Sequence, residues 1–319
     1  MEKKSRAFIL PAAAAVTALI SIAVRIILTL TDLDVKYGVY KRGKVLPTIY
    51  HIILALVCLA FIVIPLAMRK KLGVPESPKV GDLTVFASCI SAFLIAADII
   101  ISVMNIVTKK ASADAIGILT IVFGLGSVLY FLANVKSGDR SPAAMTIASF
   151  FPTAFMATDL INTYFDTSLL TTSPGKTMHE LALLAGMVYF LSESRFQLGR
   201  TSAALFYASA PVAVVMLLTA TIPELLFPSK LLIGNTDSYL VRAAEAAIGL
   251  YVLSVCSRAR EPASWRRKKR NQRPLKRKTN NHEGAVRGSF FVSGSAIVVK
   301  NRSLFVEIRY QNYLFSHGA

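Results

Sequence analysis

Six charged side chains stand in stretches otherwise fit for hydrocarbon: Arg25, Asp98, Asp159, Glu180, Arg242 and Glu245. A charge at the centre of a membrane helix costs roughly 2.5–3.5 kcal/mol on insertion scales, so each needs a reason. Carboxylates in such places bind protons or cations, and opposite charges lower one another's burial cost. The six read as candidate substrate- or ion-binding groups, with Asp98 and Asp159 as proton or cation sites and Arg25 as their counter-charge. Asp98 is the deepest, about ten residues from the loop at Lys109 and Lys110. Arg25 and Asp159 lie about 8 Å from the outer ends of their stretches at 1.5 Å per residue. That is shallow enough for a long side chain to snorkel to the head groups. Glu180, Arg242 and Glu245 fall near outer ends as well, so the six are expected to line an outward-facing polar vestibule. His51 and His179 read as isolated, and no metal cluster or cofactor is expected.

These residues must be held by membrane helices. The chain is 54% hydrophobic and 17% charged, well below the roughly 25% charge of soluble domains. Apolar runs at 8–30, 47–67, 83–107, 115–134, 143–165, 178–194, 200–222 and 237–257 predict an all-α transmembrane bundle of about eight spans. The first run continues far past "AAAA", so it reads as an uncleaved span rather than a secretory signal. Lys3, Lys4, Arg6, the "MRKK" at 68–71, Lys136, Arg140, Arg195 and Arg200 fall on one side if spans alternate. That predicts a multi-pass cell-membrane protein with both termini cytoplasmic. The loop "YGVYKRGK" (37–44) is basic on the opposite side and breaks the rule.

The spans carry a repeat. "IAVRII" (22–27), "IAADII" (95–100) and "MATDLI" (156–161) share one pattern, and "LTATIPELL" (218–226) gives a degraded version with Glu224 later. The even spans end "GSVLYFLANVK", "GMVYFLSESR" and "GLYVLSVCSR". Asp98 and Asp159 are 61 residues apart, and Tyr130 and Tyr189 are 59 apart. A period near 60 is one helical hairpin, which predicts four tandem hairpins in the same orientation. Tyr130, Tyr189 and Tyr251 are expected at the cytoplasmic interface. Polar residues at helical spacing mark three inward faces: Thr17, Ser21, Arg25 and Thr29; Ser88, Ser91, Asp98, Ser102 and Asn105; Thr146, Ser149, Thr153, Asp159 and Asn162. These predict a seam shared by the odd-numbered helices. Pro11, Pro65, Pro152 and Pro211 are candidate kinks.

Residues 1–257 form the predicted membrane domain, and 258–319 a basic tail of disordered or weakly β character. The tail holds 15 Lys and Arg against 3 Asp and Glu, hence +12 of the chain's +18. Trp265, Arg266, Arg267, Lys268, Lys269, Arg270, Lys276, Arg277 and Lys278 form a juxtamembrane cluster expected to bind anionic lipid head groups. Nucleic acid is not an expected partner, since no binding fold accompanies the charge. Cys58, Cys89 and Cys256 lie in spans and suggest no disulfide framework. The Gly-x-Gly-Asp context of aspartyl intramembrane proteases is absent, the aspartates standing in "AAD" and "ATD". No HExxH, Walker A or redox pair occurs, so no catalytic residue is expected. The sequence implies a transporter or permease for a small polar or charged solute. The alternative is a non-catalytic sensor, accessory subunit or scaffold.

Overall fold

The structure, a computed structural model, describes residues 6–34, 38–69, 81–108, 114–135, 142–165, 173–197, 203–227 and 238–258. The tail cluster from Trp265 to Lys278 and the β-like segment after it lie outside these residues. Eight helices occur among the described residues: α1 (Arg6–Thr31), α2 (Leu46–Ala67), α3 (Asp82–Val107), α4 (Ala115–Val135), α5 (Pro142–Phe165), α6 (Pro174–Gln197), α7 (Ala203–Leu226) and α8 (Ser238–Arg258). A two-stranded hairpin, β1 (Leu33–Asp34) and β2 (Val39–Tyr40), separates α1 from α2. The helix starts follow local chemistry. Pro47 sits in the first turn of α2, where a missing N–H costs nothing. Asp82 lies in the first turn of α3, beside the positive end of its dipole. The Asp114 carboxylate accepts from the Gly117 N–H at 3.1 Å and so caps α4.

Seven of the helices are long and apolar enough to cross a membrane. The exception is α6, the weakest of the eight predicted spans. It matches its neighbours in length and packs between α5 and α7. Its composition is polar because it carries Lys176, His179, Glu180, Glu193 and Arg195. His179 and Glu193 are turned inward, where hydrocarbon does not meet them.

The helices α3, α4, α5, α6, α7 and α8 close a ring in which each packs on the next and α8 returns to α3. Both α1 and α2 lie against α7. In consequence 83% of the membrane-length window of α7 is buried, against 22–61% for the other six spans. The lipid-facing sides of those six carry exposed apolar residues such as Leu19, Phe86, Phe93 and Ile147.

The ring consists of three successive hairpins, α3–α4, α5–α6 and α7–α8. The first hairpin of the predicted four departs from the others, because α1 and α2 pack on α7 far more than on each other. The Tyr50 hydroxyl ties them, bonding Ser21 Oγ at 2.9 Å and approaching Ser21 O at 3.5 Å. The repeat has a geometric counterpart. Tyr130, Tyr189 and Tyr251 come from equivalent positions and are fully buried together with Phe131 and Phe190. Their ring centroids lie 5.2–6.5 Å apart. The three tyrosines are therefore core residues and not an interfacial belt. The glycine of each repeat is a point of close approach. A Cβ on Gly249 would meet Leu218 Cδ2 at 2.8 Å and Leu217 Cβ at 3.3 Å.

The polar faces are turned inward, with Ser21, Arg25, Thr29, Ser88, Ser91, Asp98, Ser149 and Thr153 buried. They do not form one seam among the odd helices. The face of α1 meets α7, α3 packs between α8 and α4, and α5 packs between α4 and α6. Hairpin pairing places α4 between α3 and α5, so those two stripes do not meet, and the α1 stripe finds its partner in α7.

Candidate functional site

The site begins with a defect in α7. Pro223 has no N–H, so the carbonyl of Thr219, four residues back, lacks its helical donor. Arg25 on α1 supplies it: Nη1 donates to Thr219 O and to Ala220 O, both at 2.6 Å. Its Nη2 donates to Glu224 Oε1 at 2.9 Å. Arg25 is only 2% exposed, so it turns into the protein and does not snorkel to the head groups.

From Glu224 the charges run on across three more helices. Glu224 Oε2 lies 2.9 Å from Arg242 Nε on α8. Arg242 Nη1 is 3.4 Å from Glu245 Oε2, one turn along the same helix. That guanidinium also lies against both ring nitrogens of His179 on α6. His179 Nδ1 is 3.3 Å from Glu245 Oε2, and its Nε2 is 3.5 Å from Asp159 Oδ2 on α5. One buried chain of charge thus joins α1, α7, α8, α6 and α5. Asp159 is its most open member, with a side chain 15% exposed, while Glu245 is 0% exposed.

Four of the six sequence candidates therefore meet: Arg25, Asp159, Arg242 and Glu245. They form a closed network and not the open vestibule expected of them, because each charge is drawn to a partner instead of to water. Asp98 is buried on α3. Glu180 is half-buried and makes no ion pair among the described residues. Two network members stood outside the candidate set. Glu224 was visible only as the displaced charge of the degraded repeat, and His179 as an isolated histidine. The signal that finds Glu224 is its place beside Pro223 in a helix that is apolar all round. Such a helix is buried, and a charge on it must be paired.

The loop between α1 and α2 closes over this end. Asp32 is buried and pairs with Lys44 at 3.4 Å, and Lys41 Nζ donates to Thr31 O at 3.2 Å. Two of the bases that broke the orientation pattern are thus tied locally. Ser173 Oγ, just before α6, donates to Gly38 O at 3.1 Å. Gly38 stands at φ +64°, which L side chains rarely adopt. Burial pushes the Tyr40 hydroxyl up to about 12, so it stays protonated at physiological pH.

The network can hold charge in two ways. Asp159, His179 and Glu245 offer one ligand atom each, all within 4.8 Å of one another. Two carboxylates and an imidazole suit a divalent cation of intermediate softness. This corrects the reading of His179 as isolated, since contacts among α5, α6 and α8 bring the three together. Yet the Arg242 guanidinium already covers His179 and Glu245, and a metal would have to displace it. Protonating His179 also moves the guanidinium, because Arg242 has only donors and faces both ring nitrogens. Three carboxylates face two guanidiniums, so the cluster carries −1 with a neutral imidazole and balances with an imidazolium. Its charge balance turns on one proton, held by His179 or by one of the carboxylates. No protein-family model, no curated protein and no solved structure matches this chain.

Proposed function

We propose that this integral membrane protein is a carrier for a small polar or charged solute, and that the Arg25–Glu224–Arg242–Glu245–His179–Asp159 network is its ion-responsive site. One observation carries the reading. The most enclosed helix, α7, runs unbroken through Pro211 and Pro223, and at the second proline a freed carbonyl and a carboxylate enter a network across five helices. Backbone carbonyls freed from helical bonding are groups that carriers use to build ion sites inside a bilayer. Protonation of His179 would loosen or tighten the ties between α5–α6 and α7–α8, which gives the hairpins a reason to move. Asp98 on α3 is the remaining candidate carboxylate. The reading places the network end outward and both termini in the cytoplasm, following the basic residues.

Reconstitution tests it. Proteoliposomes loaded with a pH-sensitive dye are challenged with a panel of amino acids, organic acids, polyamines and monovalent cations. The expected result is solute-dependent proton movement that His179→Gln abolishes. Proton movement that His179→Gln leaves unchanged at every pH refutes the assigned role, and a panel without any response refutes the carrier.

A second reading has its own support. Arg25 gives three bonds to α7, so the same network serves as a staple fixing α1 to the ring. A scaffold or sensor built this way would lose stability in network variants and have no transport to lose.

A further inference from the structure

The far end of α6 carries a second buried carboxylate, which the network does not use. Glu193 lies 14 residues beyond His179, about 21 Å along the axis at 1.5 Å per residue, and is 4% exposed. The Tyr251 hydroxyl donates to Glu193 Oε1 at 3.0 Å, and Tyr251 and Tyr130 share a hydroxyl–hydroxyl bond of 3.0 Å. Oε2 has no hydrogen-bond partner in good geometry, and neither has the buried hydroxyl of Tyr189, one helical turn back. The two groups are electrostatic neighbours. No Lys, Arg or His pairs with Glu193 among the described residues.

Among the described residues whose side chains are placed, those facing Glu193 from the packed elements are neutral. From α4 come Tyr130 and Asn134, and from α8 Tyr251 and Cys256. On α7, Ser209 bonds Ser192 beside Glu193 at 2.8 Å, and Tyr207 is the titratable side chain at that end. The facing end of α5 offers Met145, Thr146 and Ser149, none of them titratable. Arg195 on α6 itself is exposed. Three tyrosines at equivalent positions of the three ring hairpins thus surround one carboxylate. Four residues after each tyrosine stand Asn134, Glu193 and Val255, so only the middle hairpin carries the acid.

A carboxylate buried without a cation is strongly unfavourable and neutralises by taking up a proton or a small cation. The tyrosine hydroxyls can donate to this carboxylate but bring no compensating charge; a proton on Oε2 removes the charge itself, and the Tyr189 oxygen is an available acceptor. We propose that Glu193 is a proton-binding site at the point where the three repeat-equivalent tyrosines converge, and that in the carrier it serves as a second proton site in series with His179. The second clause rests on the carrier reading, and the first does not. Only the O–H bond forms and breaks, the proton coming from and returning to solvent water.

Infrared difference spectroscopy on the full-length protein in nanodiscs tests this. At neutral pH the wild type should show the carbonyl stretch of a protonated carboxyl group, shifted in deuterium oxide. Glu193→Gln should lose that band while melting with the wild type, since the amide mimics the neutral acid. Tyr251→Phe should keep the band and move its frequency. Should Glu193→Gln not fold, Glu193→Asp in a folded protein must shift the same band. A band that survives intact in Glu193→Gln overturns the proposal. So does a wild type showing only a carboxylate stretch that moves on adding sodium or potassium, which would mark a cation site. The spectra need no solute, so they stand or fall apart from the carrier reading. That reading fails instead if no solute moves while the Glu193 band is intact.

Discussion

Replacing Arg25 with methionine keeps the length and bulk of the side chain and removes its charge and donors. Three bonds disappear: the ionic one to Glu224 Oε1 at 2.9 Å and the two to the carbonyls of Thr219 and Ala220 at 2.6 Å. All three come from a charged group, each worth about 1.5–3 kcal/mol in isolation, and such bonds on one side chain are not additive. Deleting one partner of a buried pair costs roughly 3–5 kcal/mol, which is the loss expected here. Glu224 keeps Arg242 Nε at 2.9 Å, which holds the loss within that range. Roughly 2–4 °C per kcal/mol applies to chains of 150–250 residues, so a melting shift on the order of 10 °C is expected in detergent. Arg25→Lys should recover part of it, because an ammonium cannot reach two carbonyls and a carboxylate as a fork does. The double variant Arg25→Met/Glu224→Gln should be more stable than the sum of the singles predicts, by about 0.5–3 kcal/mol, since the orphaned charge is gone. A methionine variant within about 0.5 kcal/mol of wild type, as ordinary surface substitutions are, would refute the burial argument and return Arg25 to the head groups.

Gly249→Leu should destabilise the α7–α8 contact by about 1–3 kcal/mol through overpacking against Leu217 and Leu218, read by thermal unfolding. Tyr50→Phe should cost about 1 kcal/mol and Ser21→Ala no more, since the Tyr50 hydroxyl keeps the Ser21 carbonyl at 3.5 Å, and the double variant should match Tyr50→Phe within about 0.5 kcal/mol. Cysteine at Asn235 should react with a membrane-impermeant maleimide on intact cells, and labelling only after permeabilisation would reverse the proposed orientation. A peptide of residues 265–278 should bind anionic but not neutral vesicles and release as the Debye length falls from about 10 Å at 0.1 M salt to about 3 Å at 1 M. Equal binding to both would leave the cluster a topology signal only.

Helix number and type were legible in the sequence because a bilayer imposes one rule on every span: about 20 apolar residues, all backbone groups bonded within the helix. That rule depends on neighbours along the chain and needs no knowledge of what lies across the bundle. The inward faces of α1, α3 and α5 were legible for the same reason, since helical spacing alone puts Ser21, Arg25 and Thr29 on one side. The hairpin period was visible too, through residues such as Tyr130, Tyr189 and Tyr251 that later prove to share one core. Partner choice was not. Arg25 and Glu224 are 199 positions apart, and His179 meets Asp159 and Glu245 only because side chains of α5, α6 and α8 reach one another inside the ring. Pro223 announces a freed carbonyl, but which side chain answers it depends on α1 folding back across the ring onto α7. The sequence by itself determined which groups had to be hidden from lipid, because transfer cost is a property of each residue. Only the tertiary structure decided what each was hidden against, because pairing energy belongs to distances between helices that the chain order does not contain.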